Sequence, residues 1–241
     1  MKISKSTLNL LLSLTKINPS ISIKKGNILS TINIGVVDGR TVPIKTVLIR
    51  AEVPEEFPIN FSIYNLKQFL EIVDTFEGEP DFDFKDSYVT ISEKNNSIRY
   101  GYCKPTLVLI SELDNLELGE DKENFMLDSK TIMRLKKLSG VLKHDDLFIK
   151  NSSDGKGIEF ILTTVTEGST GEDSTNDSVL TIEKETSAEF NVKISMKNLT
   201  YVITTDKAVY NARIGNYKGK DMLVLENLGE TKITYFVGRK K

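Results

Sequence analysis

Histidine and cysteine are nearly absent from this chain of 241 residues: each occurs once, as His144 and Cys103. A single cysteine excludes an internal disulfide and suits a reducing compartment. With one of each, no Cys/His cluster has the spacing of a metal site. Glycine-rich phosphate loops of the nucleotide-triphosphatase or dinucleotide type are missing as well, so no cofactor is expected. No stretch approaches the ~20 apolar residues needed to span a bilayer. An excess of positive charge is also lacking, since 32 Lys and Arg stand against 34 Asp and Glu, a net charge of −2. A globally basic nucleic-acid binder is thereby excluded. Contact with a polyanion must come from segregated charge.

Catalysis finds few candidates. His144 lies in Lys143-His144-Asp145-Asp146, which reads as a helix end, where a cation interacts favourably with the helix dipole. Cys103 has no histidine near it in sequence and reads as a packed or surface thiol. Asp81 and Asp83 alternate along a strand and face solvent. The chain is expected not to be an enzyme.

The composition, with 39% hydrophobic and 27% charged residues, is that of a chain that can build a core. The length fits one large β domain or two of about 120 residues. Residues 4–17 read as an amphipathic helix, with Ser4 as N-cap, Leu8, Leu11 and Leu12 on one face and Pro19 beyond its end. Lys2, Lys5 and the leucines resemble a signal peptide. Polar Ser6, Asn9, Ser13 and Lys16 recur at helical spacing, however, and favour a surface helix. Strands follow at 21–24, 27–34, 47–52 and from Pro58 through 63. A second helix spans 65–76 with Leu66, Phe69, Leu70 and Val73 inward. Strands at 81–85, 88–92 and 97–102 come next, with a turn at Asn95-Asn96.

Residues 112–123 are rich in Glu and Asp and read as a linker. The order then restarts. Asp128 caps a helix running to 143, with Ile132, Leu135, Leu138 and Leu142 inward. Strands are expected at 147–150, 157–165, 179–183 and 189–195, with a mobile polar loop at 168–178. A short helix at 196–203 precedes strands at 209–215, 221–226 and 231–237. The fold class is α+β: two similar β-rich domains, each with two short helices packed on antiparallel sheet. The domain bounds are 1–111 and 128–241, joined by a connector at 112–127.

Positive charge collects on these helices. Up to residue 37 the chain holds Lys2, Lys5, Lys16, Lys24 and Lys25 and no acid. From 130 to 144 it holds Lys130, Arg134, Lys136, Lys137 and Lys143, again without an acid. Lys130, Arg134 and Lys137 fall on one helical stripe. Lys193 and Lys197 lie in a third acid-free segment. Lys67, on the second helix, is accompanied by Glu71 and Asp74. A charge run is usually a solvated face, but independent solvated faces mix their signs. No base-reading helix or aromatic RNA motif is present, so the implied contact is with phosphates only, salt-dependent and free to slide.

The opening Met1-Lys2-Ile3-Ser4-Lys5-Ser6-Thr7 with its leucine-rich helix and Ile17-Asn18 resembles the sliding clamps of T-even-type bacteriophages. Ile63-Tyr64-Asn65-Leu66 with Phe69-Leu70 looks like that family's second helix, and Asp177-Ser178-Val179-Leu180-Thr181 like its second-domain strand. The resemblance spans nearly the whole chain. It implies domains of the DNA-clamp type in a homotrimeric ring around double-stranded DNA, bound without regard to sequence. It implies, as partners, a phage DNA polymerase, an ATP-driven clamp loader and late-transcription factors, in the cytoplasm of an infected bacterial host. Lys5, Lys16, Lys67, Lys130, Arg134, Lys137 and Lys197 then become the DNA-binding residues. Tyr100 stands where the family places an aromatic residue at the subunit interface, with Leu180 and Ile182 as candidates for the opposite side; ordinary sheet packing is the alternative for all three. The family's connector is proline-rich and apolar, whereas residues 115–123 here are acidic and lack proline. Leu107, Leu109, Phe125 and Phe236 are candidates for a partner-peptide pocket. A β-rich virion structural or assembly protein, or a hydrolase with a cryptic site, are the competing readings.

Overall fold

The computed structural model describes residues 1–38, 40–109, 116, 118–164, 177–186, 188–204, 207–229 and 231–238. The chain divides into two compact units, Met1–Asn115 with Thr231–Ile233, and Leu116–Glu230 with Thr234–Lys241.

In the first unit α1 (Lys5–Leu14) leads to β1 (Ile21–Ile23), β2 (Gly26–Val37), β3 (Arg40–Phe57) and β4 (Phe61–Ile63). α2 (Leu66–Asp74) and β5 (Asp81–Phe84), β6 (Tyr88–Glu93) and β7 (Asn96–Gly101) follow. β1 pairs with β4, β2 with β3, and β6 lies between β5 and β7, all antiparallel. The helices start where capping side chains demand it. Ser4 Oγ accepts from the Thr7 N–H and Asn65 Oδ1 from the Gln68 N–H, each satisfying a first-turn amide. α1 and α2 pack side by side, burying Leu10, Leu11, Leu14, Leu66, Phe69, Leu70 and Val73.

The second unit begins with β8 (Glu123–Asp128) and α3 (Ser129–Leu142), then β9 (Asp146–Asn151), β10 (Gly157–Thr163), β11 (Ser178–Glu183) and β12 (Asn191–Ser195). α4 (Met196–Thr200), β13 (Val209–Tyr217), β14 (Lys220–Asn227) and β15 (Lys232–Val237) complete it. One sheet runs β11-β10-β9-β12, and β14 and β13 connect β15 to β8. α3 packs on α4.

The duplication extends to pairing. Helix, four strands, helix, three strands occurs twice, and β1 with β4 and β2 with β3 match β9 with β12 and β10 with β11. The first unit even has a counterpart of β8. The Met1 amino group donates to the Phe82 carbonyl at 2.8 Å, and the Phe82 N–H donates to Met1 at 2.7 Å. Met1 thus lies along β5 as β8 lies along β13.

Several expectations need correction. On α1 the inward face is Leu10, Leu11 and Leu14, whereas Leu8 is half-buried and Leu12 is exposed. Residues 123–128 are not connector but strand, paired with β13 from Ile214 to Val209; their inward residues, Phe125 and Leu127, alternate with polar or exposed ones. Within the acidic stretch, Gly119 and Lys122 also donate backbone bonds to Asn216 and Ile214. Residues 112–115 and 117 of the expected linker lie outside the described residues. The β2–β3 hairpin is much longer than expected and takes in residues 40–46, Pro43 included. The structure accommodates it opposite Ile34 at a bulge, where a missing donor is tolerated. Asn33 repairs that bulge: its Oδ1 accepts from the Thr46 and Val47 amides at 3.0 and 2.9 Å, and its Nδ2 donates to Thr46 Oγ1. The β6–β7 turn falls at Lys94-Asn95, with Lys94 at φ 53, so Asn96 is already strand. Leu138 and Leu142 are only half-buried, so the inward stripe of α3 is narrower than expected. The expected loop falls, for 168–176, outside the described residues, and Ser178 belongs to β11.

Candidate nucleic-acid interface

All seven cations singled out in the sequence are exposed. Lys5 is on α1 and Lys16 in the turn after it; Lys67 opens α2; Lys130, Arg134 and Lys137 share the outer side of α3; Lys197 is on α4. In each unit two paired helices therefore carry them. Among the described residues only Lys67 of the seven forms an ion pair, with Glu71 one turn on at 3.6 Å. Such an exposed pair is worth little, but with Asp74 it leaves α2 without the positive excess of α3.

Two other lysines of the acid-free segments are spent internally. Lys136 turns inward and its ammonium donates to the Val202 carbonyl at 2.9 Å, tying α3 to the segment after α4. Burial pushes its pKa down. Lys193 pairs across strands with Asp146 at 3.1 Å and lies over the Phe148 ring. Two tyrosines fix the same segment. Tyr210 donates its hydroxyl to the Ile203 carbonyl, and Tyr235 accepts from the Ile203 N–H at 3.3 Å. Burial pushes the Tyr210 phenol up to about 12, so it stays a donor at any physiological pH.

In the first unit Glu55 on β3 anchors the start of α1. Its carboxylate accepts from the Ser4 N–H at 2.5 Å and from Thr7 Oγ1 at 2.6 Å. Burial raises its pKa, but the hydrogen bonds from Ser4 and Thr7 together outweigh that and hold it below 4.5. A carboxylate with a depressed folded pKa stabilises the fold above the unfolded value, and that contribution disappears as pH falls through the folded value. We expect Glu55→Gln to cost about 2 kcal/mol at neutral pH. Urea unfolding followed from roughly pH 5 to pH 3 should show a smaller loss in the variant than in the parent.

His144 and Cys103 do not form a catalytic pair. His144 is buried just past α3, its N–H bonded to Ser139 and its Nδ1 3.1 Å from Thr164 Oγ1. The Cys103 thiol, half-buried, donates to the Ser62 carbonyl at 3.4 Å, and burial pushes its pKa up, the opposite of an activated nucleophile.

The interface candidates occupy two sheet ends. Among the described residues β7 pairs only with β6 and β11 only with β10. On β7 the half-buried side carries Ile98 and Tyr100, and on β11 it carries Leu180 and Ile182. Tyr100 packs edge-on against Phe69, 5.2 Å between centroids, and donates to the Asn65 carbonyl. The pocket candidates divide. Leu107 is 59% exposed, whereas Phe125 is 4% exposed and packed on Phe160 as a core residue. Leu109 and Phe236 are half-buried. Sequence reasoning missed Glu55, Lys136, Tyr210 and Tyr235. Only Lys136 left a signal: four residues after Ile132 and one after Leu135, it borders the inward stripe.

No protein-family model and no curated protein sequence matches this chain. Solved structures do. The proliferating cellular nuclear antigen of Entamoeba histolytica superposes with a TM-score of 0.64 at 13% identity, over 98% of this chain and 95% of that one. The corresponding antigen of A. fulgidus, solved with the C-terminal region of FEN-1 bound, gives 0.64 at 11%, over 97% and 94%. The DNA polymerase III subunit beta of Pseudomonas aeruginosa gives 0.64 at 11%, over all of this chain but 65% of that one. The doubled helix-and-sheet unit is thus a fold shared with the proliferating cellular nuclear antigens and the polymerase III beta subunit.

Proposed function

We propose that this chain is a DNA sliding clamp of the T-even phage type: a homotrimeric ring that encircles duplex DNA and tethers a replicative polymerase. The observation that carries this reading is the pair of helices repeated in each unit of a clamp fold, three of the four without an acid, with six cations that make no ion pair among the described residues. In a ring these helices line the hole. Lys5, Lys16, Lys130, Arg134, Lys137 and Lys197 meet phosphates, and Lys67 contributes less. Contacts to phosphate alone give no sequence preference and leave the protein free to slide. The excess acid on other surfaces keeps the net charge negative and discourages DNA from binding outside.

Ring closure uses β7 of one subunit and β11 of the next. Both strands have six residues, and each has two apolar side chains on alternate, half-buried positions, Ile98 and Tyr100 on β7 and Leu180 and Ile182 on β11. Head-to-tail pairing would hide two open edges and join Ile98 and Tyr100 to Leu180 and Ile182. Leu107, Leu109 and Phe236 are the proposed contacts for a polymerase peptide; Phe125, packed in the core, is not among them. The loader, late-transcription factors and a location in the cytoplasm of an infected bacterium belong to the same reading. Chemistry at the clamp itself plays no part in it.

The test is the length of DNA made on a circular primed template by the phage polymerase, with loader and ATP, together with the subunit count in solution. A clamp increases product length and sediments as a trimer. A stable monomer that leaves product length unchanged overturns the reading and favours a structural or assembly role.

A further inference from the structure

The first unit contains a second cluster of cations, away from the helices. β1, β2, β3 and Leu109 enclose a pocket of about 220 Å³. Lys24, Lys25 and Arg50 line it, and among the described residues no Asp or Glu does. Lys25 is fixed by its N–H to Asn60 Oδ1 at 2.7 Å. Among the described residues neither Lys25 nor Arg50 makes an ion pair. Ser22 accepts a hydrogen bond from Ser62 Oγ at 3.0 Å, which leaves its own hydroxyl hydrogen to donate. Ile28 and Leu109 give the pocket an apolar wall, and Asn18 Nδ2 holds the Leu109 carbonyl at 3.3 Å.

The helix cations stand on convex surface, as suits a continuous phosphate backbone. Here the cations and a hydroxyl donor converge on a concavity with an aliphatic wall. That combination selects a small anionic group attached to an apolar body. We infer that this pocket binds a short acidic segment of a partner protein, with an Asp or Glu carboxylate on Lys25, Arg50 and Ser22 and a neighbouring aliphatic side chain against Ile28 and Leu109. The inference shares Leu109 with the proposed polymerase-peptide contacts but uses no residue of the helices or of the β7 and β11 edges.

The probe is a fluorescein-labelled peptide of alternating leucine and aspartate, read by anisotropy against the intact protein. Its control replaces each aspartate with asparagine. Binding to the parent should fall at least tenfold for the asparagine peptide, and at least tenfold for the aspartate peptide with the Lys25→Glu, Arg50→Glu variant. Amide shifts on adding the peptide should centre on β1, β2 and Arg50, a readout that needs no variant. Excess duplex DNA should leave the peptide bound. Absence of binding, equal binding of the two peptides, shifts centred elsewhere, or displacement of the peptide by DNA each overturns the inference.

Discussion

The variant carrying Arg134→Glu and Lys137→Glu should bind duplex DNA about 100-fold more weakly at roughly 50 mM salt, with the slope of log affinity against log salt smaller by about 2. Each cation that neutralises a phosphate releases close to one counterion, so losing two removes about two from the slope. Arg134 and Lys137 are exposed on the outer side of α3, and neither has an ion-pair partner among the described residues. Their replacement should therefore change stability by less than about 0.5 kcal/mol each. Lys136 provides the internal control. One residue from Lys137, it points inward and bonds to the Val202 carbonyl. Lys136→Met should leave the salt slope unchanged while lowering the unfolding midpoint, since it strips a buried carbonyl of its donor. Fluorescence anisotropy at several salt concentrations, with urea unfolding alongside, separates the two. Equal slopes for the parent and the double variant would remove α3 from the DNA contact.

The variant carrying Leu180→Asp and Ile182→Asp should dissociate the oligomer, weakening subunit association by at least about 100-fold. Two apolar side chains that a pairing strand would bury become charged, and a charge in a desolvated interface without a partner costs several kcal/mol. The half-burial of both residues within their own unit means that a smaller loss of subunit stability accompanies the change. Tyr100→Ala, on the opposite side of the proposed joint, should also weaken association, but less. It removes contact area without burying charge, and within its own subunit it gives up the ring contact with Phe69 and the bond to Asn65. Sedimentation velocity across a concentration series reads both. An oligomer indifferent to the aspartates would place the joint elsewhere.

Much of this architecture could be read from local signals. Ser4, Asn65 and Asp128 are capping residues followed by apolar periodicity, and each begins a helix one residue later. The duplicated order of elements was legible for the same reason. What escaped reading depends on partners distant in sequence. The acidic residues beside β8 read as connector, yet its partners on β13 lie some eighty to ninety residues away in the chain. Pro43 concealed a strand that only a bulge and the Asn33 amide make possible. The role of Glu55 rests on Ser4 and Thr7, separated from it by 51 and 48 positions. In the candidate site, periodicity identified the exposed face of α3 but could not reveal that Asp146 neutralises Lys193. Cross-strand neighbours are set by register, and register is a property of the fold.

The topological claim has one direct measurement. The protein is loaded by the proposed ATP-driven loader onto covalently closed circular duplex DNA, stripped of free protein at a salt concentration that abolishes contact with phosphates, and the circle is then cut once. A ring threaded by DNA stays on the intact circle and leaves within the time needed to slide off the new ends. Release at the same rate from cut and uncut DNA would contradict the account.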